Sequence, residues 1–265
     1  RSGYGMFAGL PWFFQFWARD TLISLKALSK IKNNFSKKIL IGYLNGINSE
    51  GRLQNLVGQH TSKKLGSADA HGWLFFRCNG LMDTINKNKA VINAIKNSIK
   101  LIKQNKNTPV KIKEHLKKHS FILNKKEDEQ HRLLYEIEAG LEKSLLGALK
   151  YHTKGSFEIN DINETWMDTN FGDDARKGAR IEVQALRLHM HKLMFDLTQN
   201  SKFKSLENIL KLKIRERFWN GKILADGLDD FIIRPNIFIA AYVYPELLKP
   251  KEWEICFDSA LEGLW

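Results

Sequence analysis

The sequence predicts an all-α fold made of successive helical hairpins. Apolar residues recur at intervals of three and four along almost the whole chain, whereas the alternating runs typical of strands are scarce. A short turn at Asn33-Asn34 joins the first two predicted helices, which are therefore expected to form an antiparallel hairpin. A chain of 265 residues can bury one sizeable core. We therefore expect a single domain over residues 1–265.

About ten helices, one of them short, follow from the apolar ladders and the residues that flank them. Asp20, Ser36 and Asp69 each precede a ladder and are residue types that cap helix N-termini. Residues 50–67 are expected to form a loop, and residues 153–162 to be irregular or briefly extended. The predicted helices cover residues 22–32, 36–47, 70–85, 91–102, 110–119, 127–149, 180–199, 206–218, 236–244 and 250–261.

Chemically interesting residues fall at or just before the start of alternate long helices. The instances are Asp20, Asp69, Glu182 and Arg234. In a series of antiparallel hairpins alternate helices are parallel, so their N-terminal ends gather on one face. This pattern predicts an α/α toroid with a site at one mouth. Buried helix caps would produce some of the same residues, and a plain N-cap role stays open for Asp69.

A candidate acid lies in the segment from Asn163 to Asp168. Asp168 follows Trp166 and Met167 within an otherwise polar loop. Bulky neighbours remove water from a carboxyl group, which disfavours its charged form and raises its pKa. We therefore expect Asp168 to donate a proton near neutral pH.

A second cluster lies near the start of the chain. Five aromatic residues within residues 12–17 lead directly into Arg19 and Asp20. Aromatic faces beside a charged pair suit a neutral ring that carries many hydroxyl groups, such as glucose.

Composition excludes several other classes of partner. The 42 Lys and Arg residues outnumber 29 Asp and Glu, giving a net charge of +13, but the lysines are scattered and form no basic stripe with stacking aromatics. We expect no nucleic-acid partner and, since no apolar run reaches about 20 residues, no membrane span. Cys78 and Cys256 form no disulfide framework, which favours a reducing compartment, the cytoplasm.

No metal or cofactor is expected. His189 and His191 invite interpretation as metal ligands, but two positions apart on a helix they cannot face one site together. The methionines at 190 and 194 are better explained as core residues.

With these motifs together, the sequence resembles the glucosidase domain of glycogen debranching enzymes, the amylo-α-1,6-glucosidase family, and more distantly the glucoamylases. The resemblance spans nearly the whole chain, and its motifs occur in the family's order and at similar spacing. They are Ala8-Gly9-Leu10-Pro11-Trp12-Phe13, Trp17-Ala18-Arg19-Asp20-Thr21, Gly51-Arg52-Leu53-Gln54-Asn55, Asp69-Ala70 with Trp73, Thr165-Trp166-Met167-Asp168, Ile181-Glu182-Val183 and Arg234-Pro235-Asn236.

The resemblance implies an (α/α)6 barrel and a role for each matching residue. It makes Asp168 the general acid, and Arg19 and Asp20 ligands of the terminal glucose. It makes Trp12, Trp17 and Trp166 the walls of the glucose pocket. It also implies further substrate contacts at Asp69, Glu182, Arg234 and Asn236.

The chain also departs from the family pattern. Ala18, Gln54 and Gln184 stand where Gly, Pro and Asn are common. The family's late Tyr-His-Gln/Asn-Gly-like motif, with its base carboxylate, is not found, nor is the helix that precedes the first motif. We therefore expect a barrel incomplete at both ends, completed by a missing segment or a second chain. Within the chain, the fallback candidates for the base are Asp226, Asp229 and Asp230.

The resemblance implies an inverting glycoside hydrolase that removes the α-1,6-linked glucose at glycogen branch points, with a branched α-glucan as its partner. An exo-acting glucoamylase or trehalase-like enzyme would share the Arg-Asp pair while cutting another linkage. A non-catalytic carbohydrate-binding remnant would keep Asp20 and the aromatics but lack a second catalytic carboxylate. Nucleic-acid binding through lysines would weaken steeply with salt, unlike binding of a neutral sugar.

Overall fold

The computed structural model describes residues 5–9, 12–31, 33–57, 66–105, 108–168 and 176–264. Eight α-helices and two small sheets are found there, so the all-α prediction is confirmed. Some residues named in the sequence analysis lie outside the described ranges. They are Leu10 and Pro11 of the first motif, Lys32 at the end of the first predicted helix, and part of the 50–67 loop. The helices are α1 (Ala18–Ile31), α2 (Asn33–Asn45), α3 (Ala70–Gln104), α4 (Val110–Tyr151), α5 (Ile181–Thr198), α6 (Ser201–Phe218), α7 (Asn236–Val243) and α8 (Pro250–Leu264).

Two pairs of predicted helices are single long helices. The predicted helices 70–85 and 91–102 are both part of α3, and those at 110–119 and 127–149 are both part of α4. The apolar ladder pauses at residues 86–90 between the first pair, and residues 120–126 lie between the second pair. Neither stretch contains Pro or Gly, and lysine is a good helix former, so the helix continues through both.

The aromatic run near the N-terminus forms strands that the sequence did not predict. Strands β1 (Phe7–Gly9), β2 (Phe13–Trp17) and β3 (Leu56–Val57) pair antiparallel in the order β1-β2-β3. Aromatic residues favour extended backbone, but the run is too short to show an alternating pattern. The expectation for 153–162 is confirmed by a second hairpin, β4 (Thr153–Lys154) with β5 (Phe157–Glu158).

The chain divides into two compact units. The first comprises residues 1–77 and 140–265, and the second residues 78–139. In the second unit the side chains of Ile92, Ile99 and Leu133 are buried. Lys96 forms an ion pair with Glu127 there. Within the described part of the chain, no helix combines the length and apolar character of a membrane span.

Helix α5 is the centre of the first unit. Its residues are buried from Ile181 to His191, including charged and polar side chains. Residues of α5, α6, α7 and α8 share one apolar cluster, which contains Leu188, Ile214 and Ala240. A helix buried all round has no solvent-facing stripe, which explains the two apolar rows in its sequence.

A buried carboxylate joins the β4–β5 hairpin to α5. Glu158 accepts hydrogen bonds from Nε of Arg187 at 2.7 Å and from Nη2 of Arg52 at 3.2 Å. Nε2 of His71 lies 3.1 Å from the same carboxylate. Burial opposes its ionisation, but Arg187, His71 and Arg52 hold the pKa of Glu158 well below its usual range. The Arg52 side chain is therefore held by a buried carboxylate of the first unit.

The position of Arg52 is set by the preceding residue, Gly51, whose backbone packs directly against the backbone of α4. A Cβ on Gly147 of α4 would lie 2.6 Å from the backbone nitrogen of Gly51, and a Cβ on Gly51 would lie 2.2 Å from the carbonyl oxygen of Ser144. Gly51 also has φ +85°, a conformation that favours glycine. Ser144 Oγ donates to the Gly51 carbonyl at 2.6 Å. This approach leaves no room for a side chain on either glycine.

We predict that Gly147→Ala lowers the free energy of unfolding by about 1–3 kcal/mol or more, because its Cβ would overlap backbone atoms that cannot rotate away. Gly42→Ala is the matched control: Gly42 is an exposed helical glycine, and a Cβ added there would meet no atom within 4 Å. The control should be neutral or stabilising by about 0.5–1 kcal/mol. Urea denaturation of both variants measures the difference. Equal stability would contradict the close approach.

Candidate active site

The loop that carries Asp168 is fixed at its start by Glu164. The backbone carbonyl of Glu164 accepts from the amide of Ala68 at 2.8 Å. Its side chain accepts from the amide of Asp161 at 2.7 Å and from Nη1 of Arg52 at 2.8 Å. Asn163 has φ +62°, a left-handed conformation that asparagine tolerates. The turn before the candidate acid is thus held by several independent hydrogen bonds.

Arg19 links this loop to the start of α3. Its buried guanidinium donates from Nε to Asp69 Oδ2 at 2.6 Å. Nη1 lies 3.5 Å from Asp168 Oδ2, and Nη2 lies 3.5 Å from the Glu164 carbonyl. The planar guanidinium therefore faces three oxygen acceptors, and it brings Arg19, Asp69 and Asp168 together as the sequence predicted.

Asp69 uses its side chain to hold Arg19, not to cap α3. Oδ2 accepts from Arg19, and Oδ1 accepts from the Ser67 hydroxyl at 2.7 Å. The Ser67 hydroxyl in turn accepts from the amide of Ala70 at 3.2 Å, which is the capping hydrogen bond. Ser67, and not Asp69, therefore caps the N-terminus of α3. The sequence prediction had given Ser67 no role.

Asp168 keeps access to solvent. Its side chain is 39% exposed, whereas those of Arg19 and Asp69 are 6% and 1% exposed. Asp20, at the start of α1, is half-buried; burial is the main cause of a raised pKa for its carboxyl group, and Asp168 and Asp69 add to it. The carboxylate that faces solvent beside the guanidinium is therefore Asp168.

A second polar cluster lies around the buried carboxylate of Asp226. It accepts from Nη1 of Arg234 at 2.9 Å, from Nη1 of Arg180 at 3.3 Å and from Nη2 of Arg176 at 3.2 Å. The side-chain amide of Asn236 also donates to Asp226. The cluster thus brings the predicted residues Arg234 and Asn236 together.

The cluster reaches both α5 and the loop that carries the acid. Nη2 of Arg176 donates to Glu182 Oε1 at 3.0 Å, and Nη1 donates to the Thr165 hydroxyl at 2.9 Å. Nε1 of Trp166 donates to Oδ1 of Asn236 at 2.6 Å. The loop from 164 to 168 is therefore fixed by Arg19 and Arg52 and, through Thr165 and Trp166, by this second cluster.

The fallback bases differ in their surroundings. Asp226 is buried and both of its oxygens accept from cationic or amide donors, so it has no oxygen free to activate water. Asp230 pairs with Arg180 at 2.7 Å, and that hydrogen bond and Arg234 lower the pKa of its carboxyl although burial opposes them. Asp229 is exposed and pairs with Arg217 at 2.8 Å.

The aromatic residues differ in their contacts, and Trp166 is itself 38% exposed. Trp166 is tied to Asn236, and Trp17 packs edge-to-face on Phe13 with ring centroids 6.3 Å apart. Trp12 is 80% exposed. The sugar-facing walls predicted for these residues stay a prediction.

The sequence missed several residues that organise the site. Arg176, Arg180 and Glu164 have no periodic signal, because they lie in loops and act through long-range contacts. Arg176 has φ +42°, an uncommon conformation for a residue with a long side chain. Arg52 and Gly51 belonged to a family motif, but only the structure shows what they contact.

Comparison with known families shows to which family the chain belongs. A family model described as amylo-alpha-1,6-glucosidase matches residues 1–265, which is the whole of the chain. The chain belongs to the amylo-alpha-1,6-glucosidase family. No individual curated protein matches it at a significant level. The resemblance inferred from the motifs is confirmed.

Membership of the amylo-alpha-1,6-glucosidase family defines the general chemistry. It identifies a glycogen-debranching glucosidase domain and a hydrolase of the glycosidase type, with a branched glucan as substrate class. The two clusters described above lie at the starts of α1, α3, α5 and α7, the alternate helices on which the motifs fall.

We predict a pH-dependent contribution from Glu182. Burial raises its pKa to about 7; Arg176 opposes this and Asp226 adds to it. Because the folded pKa lies above the unfolded one, the protonated group favours folding, and its contribution is lost as pH rises from about 4.5 through 7. Glu182→Gln should remove this part of the pH dependence, a change on the order of 1–3 kcal/mol between pH 5 and 8.

Thermal unfolding of the parent and of the Glu182→Gln variant between pH 5 and 8 gives the difference in their stability at each pH. Taking the difference cancels groups such as His189 and His191, whose pKa values burial lowers to about 4 and about 3. Glu254→Gln, at an exposed site, is the control and should follow the parent curve. A difference independent of pH would show that Glu182 does not titrate in this way.

Proposed function

We propose that this chain carries the acid half of an inverting glycosidase that releases the α-1,6-linked glucose from glycogen-type branch points. The supporting observation is Asp168: a solvent-accessible carboxyl group 3.5 Å from a buried guanidinium, on a loop held by several hydrogen bonds. A proton donor must be both fixed and reachable by the leaving oxygen. Asp168 meets both conditions.

Arg19 and Asp20 bind the terminal glucose in this proposal. Charge-assisted hydrogen bonds to sugar hydroxyls are shorter and stronger than neutral ones. Asp69 orients the Arg19 guanidinium through a 2.6 Å hydrogen bond. The aromatic rings at Trp17 and Trp166 then offer apolar faces to the sugar ring.

The base belongs, in this proposal, to a carboxylate outside the described residues. Inversion places the base about 6.5–9.5 Å from the acid, with room for a water molecule. Within the described ranges, Asp69, Glu182 and Asp226 are buried and bound by arginines, so they are poorly placed to activate water. A missing segment or a second chain that completes the barrel would supply it.

A carbohydrate-binding domain without hydrolysis is the second candidate. The observation that favours it is the same pairing of the buried carboxylates with arginine. The exo-acting glucoamylase or trehalase-like alternative keeps Asp168 and Arg19 and differs in the linkage that it cuts. Glucose release from a branched limit dextrin, compared with release from a linear maltooligosaccharide, separates these possibilities.

In a complete enzyme, one that includes the base carboxylate, we predict that Asp168→Asn removes nearly all glucose release from a branched limit dextrin while leaving the fold intact. Loss of a general acid typically costs about 10²–10⁴-fold in rate. Asp196→Asn, an exposed substitution on α5, is the control and should keep parental activity. If Asp168→Asn kept more than about a tenth of the rate, Asp168 could not be the acid.

A binding experiment separates the glucose ligands from the acid. In the Asp168→Asn background, Asp20→Ala should weaken binding of a glucose-like iminosugar by about tenfold or more, because a charge-assisted hydrogen bond is lost. Isothermal titration calorimetry at fixed pH measures it. Unchanged affinity would mean that Asp20 only stabilises the N-terminal turn of α1.

A further inference from the structure

A pocket beside the acid-bearing loop is lined by none of the predicted catalytic or substrate-binding residues, although Arg52 and Glu164, which hold that loop, belong to its wall. Its volume is about 330 Å³, at the lower end of the roughly 300–1,000 Å³ range of small-ligand pockets. It lies within the first unit, beside the end of α4 and the β4–β5 hairpin. The lining residues used in the argument are Arg52, Tyr151, Lys154, Asn160, Glu164 and Lys177.

Two of the three cationic side chains in the wall, Arg52 and Lys177, are paired with carboxylates, and Lys154 is the third. Arg52 donates to Glu164 at 2.8 Å, and Lys177 lies 3.0 Å from Asp161. Burial lowers the pKa of His152, which also lines the pocket, so this imidazole is neutral near pH 7. The Arg52 guanidinium already donates to the carboxylates of Glu158 and Glu164, so few of its donors are left to bind an anion. The wall therefore suits a neutral ligand.

The wall offers both hydrogen-bond donors and acceptors beside an aromatic ring. Tyr151 is 52% exposed, and Lys150 approaches its ring at 4.8 Å. Oδ1 of Asn160 and Nε of Arg52 are buried and have no hydrogen-bond partner among the described residues. A ligand that carries many hydroxyl groups can both donate to and accept from the polar groups of this wall.

The pocket is connected to the candidate acid through Glu164. The carboxylate of Glu164 lies in the pocket wall, and its backbone carbonyl faces Nη2 of Arg19 at 3.5 Å. Asp168 follows four residues later. A ligand that contacts Glu164 and Arg52 would therefore stabilise the loop from its rear side.

We propose that this pocket binds a glucose unit of the glucan chain at a position separate from the glucose on which Asp168 acts, an assignment that rests on the proposed function. Occupation holds a long substrate on the protein and favours the ordered form of the 161–168 loop. The ligand class is a neutral glucan, distinguished from a phosphate or sulfate group by the paired charges of the wall.

Binding of maltotetraose tests the pocket when the main site is disabled. The background is the double variant Asp20→Ala with Asp168→Asn, titrated by calorimetry. Tyr151→Ala in this background should weaken binding by about tenfold, since an aromatic contact and a hydrogen bond are lost together. Tyr135→Ala is the control: Tyr135 is 74% exposed, lies in the second unit and lines no part of this pocket.

Two further measurements make the test decisive. Lys154→Ala should weaken maltotetraose binding as well, and inorganic phosphate should not compete. Unchanged affinity in both pocket variants, no binding at all in the double variant, or displacement by phosphate would each overturn the proposal. Circular dichroism shows whether each variant is folded.

Glucose release by the parent protein is measured separately. A parent that releases glucose while its double variant binds no maltotetraose refutes the pocket and leaves the proposed function standing. A complete protein, one that includes the base carboxylate, that binds maltotetraose through Tyr151 but releases no glucose supports the pocket and refutes hydrolysis.

Discussion

The buried guanidinium of Arg19 is the contact on which the candidate site depends. It lies at the start of α1, is oriented by Asp69 at the start of α3, and faces both Asp168 and the backbone of its loop. A planar group with donors in fixed directions sets distances between three segments at once. A lysine at this position would offer a point charge without these fixed directions.

The second cluster supports the same loop from its other side. Removing an arginine or a carboxylate from water is costly, and the attraction between the partners compensates only when hydrogen bonds are well placed. Arg176 contacts Asp226, Glu182 and Thr165 with favourable geometry. The arrangement is therefore better explained as a device that fixes one loop conformation than as a source of net stability.

The sequence predicted the helical class, and it marked segments that the structure brings together, because these features leave local signals. Periodic apolar residues revealed the helices, and the motifs around Arg19 and Asp168 marked loops that meet in space. Breaks inside α3 and α4 were predicted wrongly, because stretches such as residues 86–90 and 120–126 can stay helical without presenting a regular buried face. The positions of Ser67 and Arg176 could not be predicted, since their roles arise from contacts distant in sequence.

Three guanidinium groups pair with three carboxyl groups around Asp226. This pairing limits which substitutions the region can accept in evolution. Among the described residues the paired groups are those of Arg176, Arg180, Arg234, Glu182, Asp226 and Asp230. Loss of one member leaves a charge of opposite sign buried, at a cost of about 3–5 kcal/mol, whereas exchange of a pair for apolar groups can be neutral. Related sequences should therefore differ here by joint replacement of oppositely charged partners, and single replacements should be rare.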